Sequence, residues 1–232
     1  MQRLATYEIA PSSTERVYFA HVFAWMAVAL AVTGGVSAAV GHDQRALNAI
    51  FGGGFPFVFL GLAAIQLFLV GGLVGLVKHM SPLTAAAIFL AYAAITGLTV
   101  SIIFAVYTTK SIFATFLITA AMFAGLALVG YTTRVDLTSW GTFLGMALFG
   151  QIIGVFVNIF WLNETLYWVT TATGILLFSA YTAYDVQKLK QYETEGGDPD
   201  TIEKDAIVGA LALYLDFINL FLYLLRLFGR RR

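Results

Sequence analysis

The sequence predicts an all-α integral membrane protein with seven transmembrane helices, and three observations predict it. Of the 232 residues, 59% are hydrophobic and 11% charged, with a mean hydropathy of +0.83, far from soluble composition. The charges fall mostly between apolar runs long enough to cross a hydrocarbon core, which takes about 20 residues. Those runs lack the alternating polarity of a spanning strand, so helices rather than a barrel are expected.

The predicted spans are 17–41, 55–77, 82–107, 111–133, 139–161, 165–184 and 206–228. Ser12, Ser13 and Thr14 offer caps before the first span, and Glu15 falls in a plausible first turn. This span is too long for a signal peptide and has no small-residue cleavage site, so it is expected to be retained. Residues 1–16 then form a short N-terminal tail, and 17–232 a single transmembrane domain. Pro82 suits a helix start. Most connections are short, which makes neighbouring helices antiparallel. The stretch 186–205 carries Glu193, Glu195, Asp198, Asp200, Glu203 and Asp205 around Gly196, Gly197 and Pro199, and reads as a solvated loop. The pairs Gly71 and Gly75, Gly141 and Gly145, and Gly150 and Gly154 have the spacing that lets helices approach closely.

Arginine and lysine counts set the expected orientation. Arg3, Arg16, Lys78, Arg134, Lys188, Lys190 and Lys204 fall on the N-terminal side, against Arg45 and Lys110 opposite until Arg226, Arg230, Arg231 and Arg232 are included. Early spans usually dominate insertion, so the N-terminus is expected in the cytoplasm and the C-terminus outside. The formal net charge of +0 argues against a nucleic-acid surface. The absence of cysteine excludes disulfides and thiolate chemistry.

Ionisable groups inside spans are costly, roughly 2.5–3.5 kcal/mol each on insertion scales, and so point to function. Asp216 stands near the middle of the last span and must face protein or a wet cavity, carry a proton, or pair. A protonated carboxyl holding helices together is the simpler alternative. Asp185 ends the sixth span, with Lys188 and Lys190 beyond it, and by itself reads as an interfacial carboxylate. Tyr181 lies on its helical face at i−4, where a phenol could reach the carboxylate, and Asn219 stands similarly after Asp216.

The segment Tyr214-Leu215-Asp216-Phe217-Ile218-Asn219-Leu220-Phe221, followed by Leu224-Leu225-Arg226 and preceded upstream by Tyr184-Asp185, resembles the hallmark of the transmembrane Bax inhibitor motif family, in its bacterial branch. The resemblance extends more loosely over the whole set of spans. It implies six helices surrounding a central polar seventh, and a pH-sensitive calcium leak gated by a carboxylate dyad of Asp185 and Asp216. Tyr181, Tyr184, Tyr214 and Asn219 would support that dyad. It also implies a basic latch from the second span, for which Lys78 is the candidate, an ordinary cytoplasmic anchor being the equal alternative. Where some bacterial members carry a glutamate in that span, this chain has Gln66, a candidate pore-lining carbonyl.

Two carboxyls in a poorly hydrated site cannot both ionise cheaply, so a dyad shares a proton. Losing that proton makes a divalent cation a favourable guest, and two carboxylates suit weak calcium binding in a path rather than a tight store. Calcium ions and protons are therefore the expected partners, alongside the lipid bilayer, with no cofactor. The alternative is a regulatory protein that binds another membrane complex, such as a quality-control protease, with the dyad as a conformational switch.

Enzyme readings are set aside. No lysine lies between Ala206 and Phe228 to hold a retinal, Asp216 lacks the Gly-x-Gly-Asp setting of an intramembrane protease, and His21 and His42 are too far apart for a helical zinc pair. Similarity to the bacterial members points to a bacterial cytoplasmic membrane.

Overall fold

The computed structural model describes residues 13–52, 55–192 and 198–232. Among the described residues the chain is helical: α1 (Ser13–Gly41), α2 (Gln44–Phe51), α3 (Phe55–Leu76), α4 (Pro82–Val100), α5 (Ile103–Val106), α6 (Thr109–Thr132), α7 (Gly141–Trp161), α8 (Glu164–Tyr192) and α9 (Pro199–Phe228). Six helical segments are long and apolar enough to cross a membrane: those of α1, α3, α4 with α5, α6, α7 and α9. The predicted sixth span corresponds to α8, a helix of 29 residues that falls outside this group. Its run of hydroxyls, from Thr165, Thr170, Thr171 and Thr173 to Ser179 and Thr182, makes it less apolar than its neighbours.

Sequence signals locate several helix starts. Ser81 Oγ accepts from Thr84 N–H at 3.2 Å with Pro82 in the first turn of α4, as predicted. Thr108 Oγ1 accepts from Ser111 N–H at the start of α6, and Asp43 Oδ1 accepts from Arg45 N–H at α2. The predicted 82–107 span does not run straight through. It stops at Val100, turns where Ser101 Oγ donates to Leu98 C=O at 2.7 Å, and resumes as α5.

Three expectations are corrected. The first helix begins at Ser13, ahead of the predicted 17; residues 1–12 lie outside the described residues. The stretch 186–205 is largely helix, since α8 continues to Tyr192 and α9 starts at Pro199, behind Asp198 at the N-cap and with Asp200 in the first turn. Val186, Gln187 and Leu189 are buried, whereas Asp198, Asp200 and Asp205 are exposed, so charge in this stretch marks the solvated ends of two helices. Residues 193–197 lie outside the described residues. The glycine pairs also fail as pairs. A methyl group at Gly71, Gly75, Gly145 or Gly150 would meet nothing within 4 Å.

The core is organised on α9. Ile207, Leu211, Leu213, Tyr214, Leu220 and Leu225 on this helix are all essentially inaccessible. α1, α4, α6 and α8 pack directly against α9, while α3 packs on α4 and α7 on α8 as an outer layer. The centre is therefore the last helix, as expected, but wrapped closely by four helices instead of six. Phe57, Leu67 and Phe68 on α3 and Phe149, Phe160 and Trp161 on α7 are largely exposed, the outward faces that acyl chains would cover.

Candidate functional site

Two contacts set the register of α8 against α9. Gly209 lies against Leu189, and Gly174 against the Tyr223 ring. In this antiparallel register Asp185 stands opposite the turn just before Asp216. Side chains on a helix lean toward its N-terminus, so the two carboxyls lean toward each other from opposing helices and meet side chain to side chain. A third helix presses on the same level: a methyl at Gly130 of α6 would overlap the backbone of Ala183.

Asp216 is 4% exposed, and its Oδ2 has no hydrogen-bond partner among the described residues. A buried polar oxygen without a partner is uncommon in a settled structure. Asp185 is half-buried and is the more accessible of the two. The Tyr181 ring stands within electrostatic reach of both carboxyls, and Lys188 is the cation nearest Asp185. Tyr184 packs edge-on against Tyr181, carries Lys188 Nζ over its ring at 5.9 Å, and places its hydroxyl at Gly141 where α7 begins.

The other residues singled out lie elsewhere. Asn219 Nδ2 donates to Leu215 C=O on its own helix at 2.8 Å and makes no bond to Asp216. Tyr214 faces away from the carboxyls, bonding Thr33 of α1 at 2.6 Å; Thr33 Oγ1 in turn donates to Ala93 C=O. Gln66 Nε2 donates to Thr96 Oγ1 at 2.8 Å, and Thr96 also stands beside Tyr214. Gln66 and Tyr214 thus belong to one polar chain joining α1, α3, α4 and α9. Lys78 lies in the short 3₁₀ turn after α3 and faces Asp205 near the start of α9.

A second buried polar cluster escaped sequence reasoning. Gln151 of α7 donates to Thr170 C=O at 2.6 Å and to the Tyr223 hydroxyl at 2.8 Å, and accepts from Thr173 Oγ1 at 2.9 Å. The only signal was a lone glutamine in an apolar run, the same kind of signal that drew attention to Gln66. Among the described residues no group of three or more His, Cys, Asp or Glu side chains comes together to hold a metal ion. The dyad offers two carboxyls, with the Tyr181 phenol within electrostatic reach of both.

Residues 15–232 match the model of the family described as inhibitor of apoptosis-promoting Bax1. The chain is 43% identical to inner membrane protein YbhL of Escherichia coli (strain K12), over 97% of this chain and 96% of that protein. It is 41% identical to an uncharacterized protein of Borreliella burgdorferi, over 93% of this chain and 92% of that one. An uncharacterized protein of Deinococcus radiodurans is 32% identical over 100% of this chain and 98% of its own length. The matches span the chain from α1 through α9, and so include the segment that carries both carboxyls.

Proposed function

Because this chain belongs to the Bax inhibitor-like membrane protein family, we propose that it is a pH-sensitive calcium leak of a bacterial cytoplasmic membrane, governed by Asp185 and Asp216. The observation that carries this reading is the buried Asp216 carboxyl, with its unpartnered Oδ2, beside Asp185. In this reading α8 also spans the membrane and completes the set of seven. Thr170, Thr171 and Thr182 on it are buried against protein instead of lipid, and the N-terminus lies in the cytoplasm with the C-terminus outside. With one proton shared, the carboxyls tie α8 to α9; without it, two like charges repel across the same contact. A divalent cation relieves that repulsion. Carboxylates, water and the nearby Tyr181 phenol suit the hard oxygen preference of calcium, and so small a ligand set favours passage over storage. Calcium is cargo here, and no bond of a substrate is made or broken.

The test is calcium-dye influx into liposomes reconstituted with wild type and with Asp216→Asn across about pH 6 to 8, the range in which a shared-proton pair can titrate. The expected result is wild-type influx with a pH midpoint that the variant lacks. If neither protein passes calcium above empty liposomes while both stay folded, the regulatory reading replaces this one, with a membrane complex as partner and the dyad as its switch.

A further inference from the structure

The far end of the molecule from the dyad holds a second site. A cavity of about 440 Å³ opens between the α7–α8 connection and the end of α9, and Arg226, Arg231, Tyr167, Asn158 and Asn163 line it. The Arg226 guanidinium sits over the Tyr223 ring at 5.1 Å and the Tyr167 ring at 5.8 Å. Such stacking uses the faces of the guanidinium and leaves its in-plane N–H donors free. Among the described residues those donors meet neither a hydrogen-bond acceptor nor a carboxylate.

Arg231 reaches the same cavity from an anchored backbone. Thr108 N–H donates to Arg230 C=O at 3.1 Å, and Arg232 N–H to Val106 C=O at 3.0 Å. Arg230 N–H donates to Ser111 Oγ at 2.9 Å. The end of the chain is thus sewn onto the α5–α6 turn, and Arg231 Nη2 donates to the Tyr167 hydroxyl at 3.4 Å. The Tyr167 and Tyr107 phenols beside Arg231 push its guanidinium still further up, so it is a permanent cation. Asn158 and Asn163 spend their carbonyl oxygens on Asn163 N–H and Leu166 N–H, which leaves their amide N–H groups as donors. Glu164, exposed and also lining the cavity, is the opposing charge there.

The setting says which anion. Trp161 and Trp168 are exposed beside the cavity, as are Leu227 and Phe228. Tryptophans at helix ends mark the level of the headgroups, where a pair of guanidinium groups can meet a lipid phosphate. Arginine suits a phosphate because its fork bonds two oxygens at once. We propose that Arg226, Arg231 and Tyr167 form a site for a phosphate oxyanion, which at this depth is the headgroup of an anionic phospholipid.

The test titrates the detergent-purified full chain with phosphatidylglycerol and with phosphatidylcholine, counting bound lipid by native mass spectrometry, with thermal unfolding run on every variant. Phosphatidylglycerol should bind about tenfold more tightly, because the choline ammonium of phosphatidylcholine offsets the charge of the phosphate that both lipids carry and is itself repelled by the two arginines. Arg231→Gln, at an exposed chain end, should remove that preference, and Arg226→Lys, which keeps the charge but not the stacked fork, should weaken it. Arg45→Gln, an exposed arginine predicted for the same membrane side, is the control and should change nothing. Competition with inorganic phosphate separates the sources. Displacement of the lipid assigns free phosphate as a ligand of the same site, whereas no displacement assigns the lipid. Equal binding of the two lipids, or equal losses from Arg45→Gln and Arg231→Gln, would overturn the proposal.

Discussion

Gly130 on α6 lies against the backbone of Ala183 on α8, so closely that a single methyl group at Gly130 would overlap it. The contact sits two residues from Asp185. It clamps the part of α8 that presents the carboxyl to α9, so the spacing of the dyad depends on a residue with no polar atom in its side chain.

Gly130→Ala should therefore destabilise the protein by about 1–3 kcal/mol, the usual cost of overpacking. Gly125→Ala, where a methyl would meet nothing within 4 Å, should be neutral or slightly stabilising through helix propensity. Thermal unfolding in detergent distinguishes the two; equal behaviour would remove the clamp from the account.

The dyad should respond as a unit. Calcium and protons compete for the same oxygens, so calcium occupancy should rise with pH in wild type. Asp185→Asn, Asp216→Asn and the double variant should flatten that response to the same extent, because a shared proton needs both groups. Calcium titration at several pH values measures it. A double variant with twice the effect of either single would mean two independent carboxyls.

Lys188 and Lys78 should differ. Lys188 neighbours Asp185, while Lys78 faces Asp205. Removing a cation beside a carboxylate disfavours its ionised form, so Lys188→Ala should move the midpoint of the calcium response to higher pH, and Lys78→Ala should leave it in place. A raised basal leak in Lys78→Ala would restore the latch.

Gln151 and Tyr223 should be energetically coupled through their 2.8 Å hydrogen bond. A double-mutant cycle of Gln151→Ala and Tyr223→Phe is expected to give about 0.6 kcal/mol, the average for intramembrane hydrogen bonds, and no more than about 1.7 kcal/mol. Strict additivity in the unfolding free energies would show that the bond contributes nothing.

Leu162 holds φ 48° at the C-terminus of α7, a left-handed conformation that costs an L-residue roughly 1–2 kcal/mol. Because its side chain is largely exposed, Leu162→Gly should lose little packing and stabilise the protein by about 1 kcal/mol. An unchanged or lower melting temperature would contradict this.

What the sequence by itself determined is local in origin. Hydropathy along one chain shows where it is apolar enough to cross a bilayer, and composition alone excluded thiolate chemistry. Pro82 marked a helix start, and the depth of Asp216 in an apolar run marked it as out of place. The paired Tyr184-Asp185 and Tyr214–Phe221 segments pointed to the family, which the whole-length matches then established. Only the tertiary structure decided how those elements meet. The acidic stretch before Asp205 looked like a loop because charge reads as solvent exposure, yet Gln187 is buried there, receiving Leu137 N–H and donating to Val135 C=O. That Asn219 turns to its own backbone, that Tyr214 joins Thr33 and that Lys78 finds Asp205 all depend on helix rotation and axial offset. Those two quantities come from side chains packing between distant segments. A spacing of three or four residues says which groups share a face, but not what that face is turned toward.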